Sequence, residues 1–199
     1  MTITVRLAEE ADAEAIRAIY NREVASSTAT FDLVPRSLAD QIDWLRMHDG
    51  AHPGTVAVGG SGVLAGFGSL SPWRSRPAYN TSVEDSVYVR DDQRGRGVGR
   101  LLLADLVERA RAHGFHAVFA RIVGGHQASI ALHAALEFEV VGVEREVGRK
   151  FGRWLDVVVM ERLLSPGEAA AAGQAGRPAA SLRSPDHLRR PASQPQGGC

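Results

Sequence analysis

The densest run of chemically capable residues is Arg94-Gly95-Arg96-Gly97-Val98-Gly99-Arg100, which follows Val87-Tyr88-Val89 and leads into Leu101-Leu102-Leu103. A strand feeds a glycine-rich turn that opens a helix. Alternate glycines let the backbone approach a ligand closely, and the unpaired N–H groups of a helix's first turn, at its positive dipole end, favour an anion. Arg94, Arg96 and Arg100 add positive charge at the same place, in a form suited to forked contacts with phosphate oxygens. The run reads as a diphosphate cradle. A nucleoside-triphosphate loop would end in Gly-Lys-Ser or Gly-Lys-Thr, and the single lysine of the chain is the distant Lys150. The dinucleotide fingerprint Gly-x-Gly-x-x-Gly also fits poorly, because Gly95, Gly97 and Gly99 are spaced Gly-x-Gly-x-Gly and the preceding strand comes late in the chain.

The order Arg94-Gly95-Arg96-Gly97-Val98-Gly99 is similar to the Arg/Gln-x-x-Gly-x-Gly/Ala signature of the GCN5-related N-acetyltransferase (GNAT) superfamily. That resemblance implies a cradle for the pyrophosphate of acetyl-coenzyme A; the alternative is a helix-capping loop with no ligand. An amine attacking a thioester must lose a proton, and the departing thiolate must be stabilised or protonated. Glu84 begins the strand that enters the cradle and is the first candidate for general base, acting directly or through water. Asp85 competes for the role, although strand alternation turns it to the opposite side. His133, on a short helical stretch after Ser129, is placed to protonate the thiolate or orient a substrate oxygen. A salt-bridged edge carboxylate and a half-buried helical histidine are the structural alternatives for Glu84 and His133. Trp73, Arg74, Arg76 and Tyr79 share the loop just upstream of Glu84. Two forked cations and two flat apolar walls suit a small anionic substrate, and they equally suit a solvated loop with one aromatic tucked inward. His48, His52, His113, His116, His126 and His187 form no ligand pair at metal spacing with a nearby acid. No metal is expected.

These groups need a frame. Residues 3–7 alternate as a strand, and residues 11–25 place Ala15, Ile16, Ile19, Tyr20 and Val24 at helical spacing. Ser37 caps a second helix, with Asp40 three residues on and Leu38, Ile42 and Leu45 as its apolar stripe. Residues 55–58 and 63–70 are strands joined by Gly59-Gly60-Ser61-Gly62, the composition of a hairpin turn. Strand 84–90, helix 97–113 ending at Gly114, strand 116–123, helix 128–136 and strands 138–144 and 154–163 complete the series. The order β-α-α-β-β-β-α-β-α-β-β gives an α/β fold with a mixed, mostly antiparallel central sheet flanked by helices.

The 199 residues suit one domain with some excess. Residues 1–164 carry every motif, whereas 165–199 are rich in Ala, Gly, Pro, Ser, Arg and Gln and poor in large apolar residues. Such a segment cannot offset its ordering entropy, so a disordered low-complexity tail is expected. Lys and Arg balance Asp and Glu at 23 each, leaving no broad basic surface for nucleic acid or acidic lipid. The only cysteine, Cys199, excludes an internal disulfide and fits a reducing cytoplasm. Neither a signal core nor an apolar span of bilayer length is present.

Further stretches carry a narrower likeness. Tyr20-Asn21 with Ser27-Thr28-Ala29-Thr30-Phe31, Pro72-Trp73-Arg74-Ser75-Arg76-Pro77-Ala78-Tyr79, Glu84-Asp85-Ser86-Val87-Tyr88-Val89 and Gly148-Arg149-Lys150-Phe151-Gly152-Arg153-Trp154-Leu155-Asp156 resemble the phosphinothricin and methionine-sulfoximine N-acetyltransferase branch of the superfamily. The likeness implies acetyl transfer from acetyl-coenzyme A to the α-amine of a small amino-acid-like acceptor, by direct attack in a ternary complex. It implies Glu84 as base and His133 as the acid-position residue. The cofactor would lie on Val87, Tyr88, Val89, the loop Arg94 to Arg100, His126 and Ser129, and Phe31 would join Trp73, Arg74, Arg76 and Tyr79 around the acceptor. A homodimer is implied too, with Lys150 to Trp154 shaping the neighbouring site. Two residues depart from the family pattern. His126 stands where an asparagine is usual, and Glu137 replaces the glycine of Leu-Gly-Phe, where positive φ would strain it by roughly 1 kcal/mol. An acetyltransferase for another amine, such as a peptide N-terminus or an aminoglycoside, and a non-catalytic coenzyme-A sensor are the competing readings.

Overall fold

A computed structural model describes residues 2–60 and 62–164. The tail at 165–199, with Cys199 and His187, and Ser61 of the hairpin turn lie outside the described residues. The elements are β1 (Ile3–Leu7), α1 (Ala13–Ser26), α2 (Leu38–Met47), β2 (Gly54–Gly59), β3 (Leu64–Pro72), β4 (Ser82–Val89), α3 (Val98–Ala112), β5 (Ala117–Val123), α4 (Gln127–Ala134), β6 (Glu139–Lys150) and β7 (Arg153–Leu163). Their order is the one that periodicity indicates. The Ser37 cap is also realised: its hydroxyl accepts from the Asp40 amide while the Asp40 carboxylate accepts from the Ser37 amide.

The seven strands form one sheet in the order β1-β2-β3-β4-β5-β7-β6. Every pairing is antiparallel except β4 with β5. Alternation along the strands divides the core between two faces. On one, Leu103, Leu106 and Val107 of α3 pack with Leu70, Val83, Val118 and Ile122. On the other, Ile16, Ile19 and Tyr20 of α1 pack with Val56, Phe67 and Tyr88. Each leucine or isoleucine so buried stabilises the fold by roughly 1.5–3 kcal/mol, which holds both helix layers rigidly against the sheet.

Two irregularities position the site. The β3–β4 pairing runs the full length of β4, from Pro72↔Val83 to Gly66↔Val89, whereas β4 and β5 pair only over Ser82–Glu84 and Ala117–Phe119. Beyond Glu84 the two parallel strands part, and on this side β4 from Asp85 to Val89 pairs with no strand among the described residues. The second irregularity is in β6, which continues to Lys150 and does not end at 144 as alternation suggests. Its register against β7 shifts between Glu144 and Gly148, and Glu146 takes φ 51° while its amide donates to Asp156 at 2.8 Å. This bulge breaks the period-two pattern and hides the strand's second half. A tight turn with positive φ at Phe151 and Gly152 then returns the chain into β7.

Candidate active site

The cradle forms at the mouth of the fork. Gly95 and Gly97 have φ of 73° and 83°, and a Cβ on either would meet nothing within 4 Å. Both therefore supply a backbone bend that other residues resist, and both face open space. The first backbone bond of α3 runs from the Leu101 amide to the Gly97 carbonyl at 3.1 Å. The amides of the turn before it have no helical acceptor. With Arg96 and Arg100 exposed alongside, the residues fit a pyrophosphate.

Arg94 does something else. Its guanidinium pairs with the carboxylate of Glu23, which is 6% exposed, and with Asp91 at 2.9 Å. It also donates to the Val89 carbonyl at 3.3 Å, so it ties the cofactor loop to α1 and β4. Val87 and Val89 pack their side chains toward α3 and Val98 is buried in the same cluster, while Tyr88 packs on Tyr20 and Phe67. What β4 offers a cofactor is thus backbone.

Glu84 is half-buried at the last paired position before the fork. Burial pushes its carboxyl up to about 7, against the attraction of Arg121 and with the help of Asp85 and Glu144. Arg121 is itself paired with Glu144, and no hydrogen bond or ion pair holds Glu84 among the described residues. A carboxylate so placed is poised to accept a proton near neutral pH.

Asp85 faces the other side, as alternation requires, and is buried against His133. His133 Nε2 lies 3.2 Å from Asp85 Oδ2, and Nδ1 lies 2.7 Å from the Ser129 carbonyl. Burial works against the imidazolium, but the Asp85 bond and charge together with the Ser129 carbonyl outweigh it and hold His133 above its ordinary value. Asp85 Oδ1 is buried without a partner. Ser129 thus meets His133 through its backbone.

The residues expected around an acceptor fall on two elements. Arg74, Ser75, Arg76 and Tyr79 line a cavity of about 440 Å³ on the β3–β4 loop. Arg74 lies over the rings of Trp73 and Tyr79 at 5.2 and 5.6 Å, and Trp73 stacks on Phe119 at 4.2 Å. Phe31 is on the α1–α2 loop, whose Thr30 hydroxyl pairs with Tyr20 at 2.9 Å. His126 is turned to this loop, its Nε2 3.0 Å from the Thr28 hydroxyl. Three links had no local signal in the sequence: Glu23 to Arg94, Asp85 to His133, and Lys150 to the Thr30 carbonyl. Each joins residues far apart in the chain. No cluster of three or more His, Cys, Asp or Glu able to hold a metal ion occurs among the described residues, and no described helix is long and apolar enough to cross a membrane.

The forked sheet brings together, at one place, a glycine cradle suited to a diphosphate and a carboxylate able to take up a proton, the groups that acyl transfer from a thioester carrier to an amine requires. Residues 14–138 match the model of the acetyltransferase (GNAT) family. The L-methionine sulfoximine/L-methionine sulfone acetyltransferase of Pseudomonas paraeruginosa is 44% identical over 172 residues, 85% of this chain and 99% of the relative. The phosphinothricin N-acetyltransferase of Streptomyces coelicolor is 41% identical over 165 residues, 81% of this chain and 96% of the relative. The crystal structure of a phosphinothricin acetyltransferase from Sinorhizobium meliloti, in complex with acetyl-coenzyme A, superposes with a TM-score of 0.80 at 40% identity, covering 94% of this chain and 98% of that one. The chain belongs to the GNAT family and is an acetyl-coenzyme-A-dependent N-acetyltransferase.

Proposed function

We propose that the enzyme acetylates the α-amine of a small carboxylated amino-acid analogue of the phosphinothricin, methionine sulfoximine or methionine sulfone type, in a ternary complex with Glu84 as general base. One observation carries this reading: Glu84 is half-buried and unpaired at the apex of the fork, immediately after a loop that presents Arg74, Arg76 and Tyr79 to solvent. The relatives' names supply the acceptor class. Its members share an α-amine, an α-carboxylate and a polar head, which two arginines and an aromatic wall can hold.

Acetyl-coenzyme A supplies the activated acetyl group; the loop Gly95 to Arg100 would hold its diphosphate, and the free β4 edge with His126 and Ser129 its arm. Arg74 and Arg76 orient the acceptor carboxylate, with Phe31, Trp73 and Tyr79 as walls. Glu84 takes the proton that the amine gives up as the C–N bond forms. As the C–S bond breaks, coenzyme A leaves as the thiolate and takes a proton from water, while His133, whose ring nitrogens are engaged by Asp85 and the Ser129 carbonyl, positions α4 against β4. Backbone amides on the β4 edge stabilise charge on the thioester oxygen.

Catalysis is assigned to residues 1–164, with 165–199 as an appendage, in a reducing cytoplasm suited to a chain whose one cysteine is Cys199. A homodimer is part of the proposal. Val140, Val141, Val143, Phe151 and Trp154 are each more than half exposed along the edge hairpin, and a long apolar sheet edge invites a partner. Light scattering tests the dimer, and thiol release against an amine panel tests the function. Turnover is expected with methionine sulfoximine, methionine sulfone or phosphinothricin. Activity confined to peptide N-termini or aminoglycosides would contradict the acceptor, and coenzyme-A binding without turnover on any amine would favour a sensor.

A further inference from the structure

The hairpin of β6 and β7 reaches across the sheet to the α1–α2 loop and holds it at two adjacent points. Lys150, 3% exposed, donates from its ammonium to the Thr30 carbonyl at 2.8 Å. Thr30 and Asp32 are also tied to the Tyr20 hydroxyl, at 2.9 and 2.6 Å. The residue between them is Phe31, and its ring lies on Gly148. A Cβ built on Gly148 would stand 2.6, 2.8 and 2.9 Å from three atoms of that ring. No side chain fits between them.

We infer that Gly148 sets the acceptor size limit, by leaving room for the Phe31 ring against β6 while Lys150 fixes the loop that carries it. This rests on the proposed acceptor class above. Phe31 is held from both sides, through the carbonyl and hydroxyl of Thr30 and the carboxylate of Asp32, so an added Cβ is relieved by rotation of the ring, the free end of a flexible side chain. Rotation carries the ring off β6 and into the space over β4, where Thr30 sits beside the Tyr88 hydroxyl on the face that also presents Glu84. Gly148 and Phe31 lie on different segments from the glycine cradle at Gly95 to Gly99, so KM for acetyl-coenzyme A is expected to stay unchanged.

The test is a ladder of acceptors that differ by one methylene: S-methylcysteine sulfone, methionine sulfone and ethionine sulfone. In Gly148→Ala, kcat/KM for the two longer acceptors should fall at least tenfold relative to the shortest, with KM for acetyl-coenzyme A unchanged. A second substitution, Phe31→Ala, should restore the long acceptors. Phe31→Ala alone, which leaves Gly148 intact, should shift preference toward ethionine sulfone and keeps the test open if Gly148→Ala folds poorly. An equal loss on all three acceptors, no rescue by Phe31→Ala, or an unchanged preference in the single Phe31→Ala variant would overturn the inference. Wild-type enzyme inactive on the whole ladder would overturn the acceptor assignment instead.

Discussion

His133 and Asp85 meet in the core between α4 and β4, Nε2 to Oδ2 at 3.2 Å, although 48 positions separate them in the chain. The contact joins α4 to β4 at the fork and sits on the side of the strand opposite Glu84. Strand alternation therefore gives the two neighbouring acids different surroundings: Glu84 is half-buried with no side-chain partner among the described residues on one face, and Asp85 holds the imidazole on the other.

The pair makes stability depend on pH. His133 is held above its ordinary value of 6.5, so its contribution is complete below that pH and is lost as pH rises through the folded-state value. Thermal melts between pH 5.5 and 9 should show wild-type stability falling on the alkaline side. In Asp85→Asn this dependence should shrink, with a loss of about 3 kcal/mol near pH 6 because a buried partner is removed. A melting temperature in Asp85→Asn equal to wild type would contradict the pairing.

Arg94 and Arg96 stand two residues apart and should behave differently. Arg94→Ala leaves the buried carboxylate of Glu23 with only the Ser27 hydroxyl as a partner among the described residues and should destabilise the protein by about 2–3 kcal/mol. Arg96 is exposed and has no ion pair among the described residues. Arg96→Ala should leave the melting temperature within about 1 °C, consistent with an exposed site, and weaken acetyl-coenzyme A several-fold in a salt-sensitive way. Calorimetric titration and thermal melts on both variants separate the roles.

Glu137 occupies the left-handed region at φ 65°, where the family pattern has glycine. Its carboxylate pairs with Arg162 at 2.5 Å but is mostly exposed, so that contact contributes little. Glu137→Gly should raise stability by about 0.5–1 kcal/mol in urea unfolding, with turnover unchanged.

Local patterns were legible where they obey one period: the capping pair Ser37 and Asp40, the run from Val87 through Gly99 into α3, and the opposed faces of Glu84 and Asp85. The second half of β6 was not, because the bulge at Glu146 interrupts alternation. Nor were the partners of Glu23, Thr30 and His133, since each contact forms only when distant elements meet on the sheet. Trp73 is an intermediate case: its loop was readable, its stacking on Phe119 was not.

The most direct test compares Glu84→Gln with wild type in kcat/KM for the acceptor across pH 5.5–9, alongside acetyl-coenzyme A affinity. The base must be ionised to act, and burial places Glu84 at about 7. Wild-type rate should therefore climb about tenfold per pH unit below that value, and Glu84→Gln should lose at least about 10²-fold in turnover and the inflection with it, while cofactor affinity is retained. Wild-type turnover in Glu84→Gln, or an unshifted acid inflection, would contradict the assignment of Glu84 as the base.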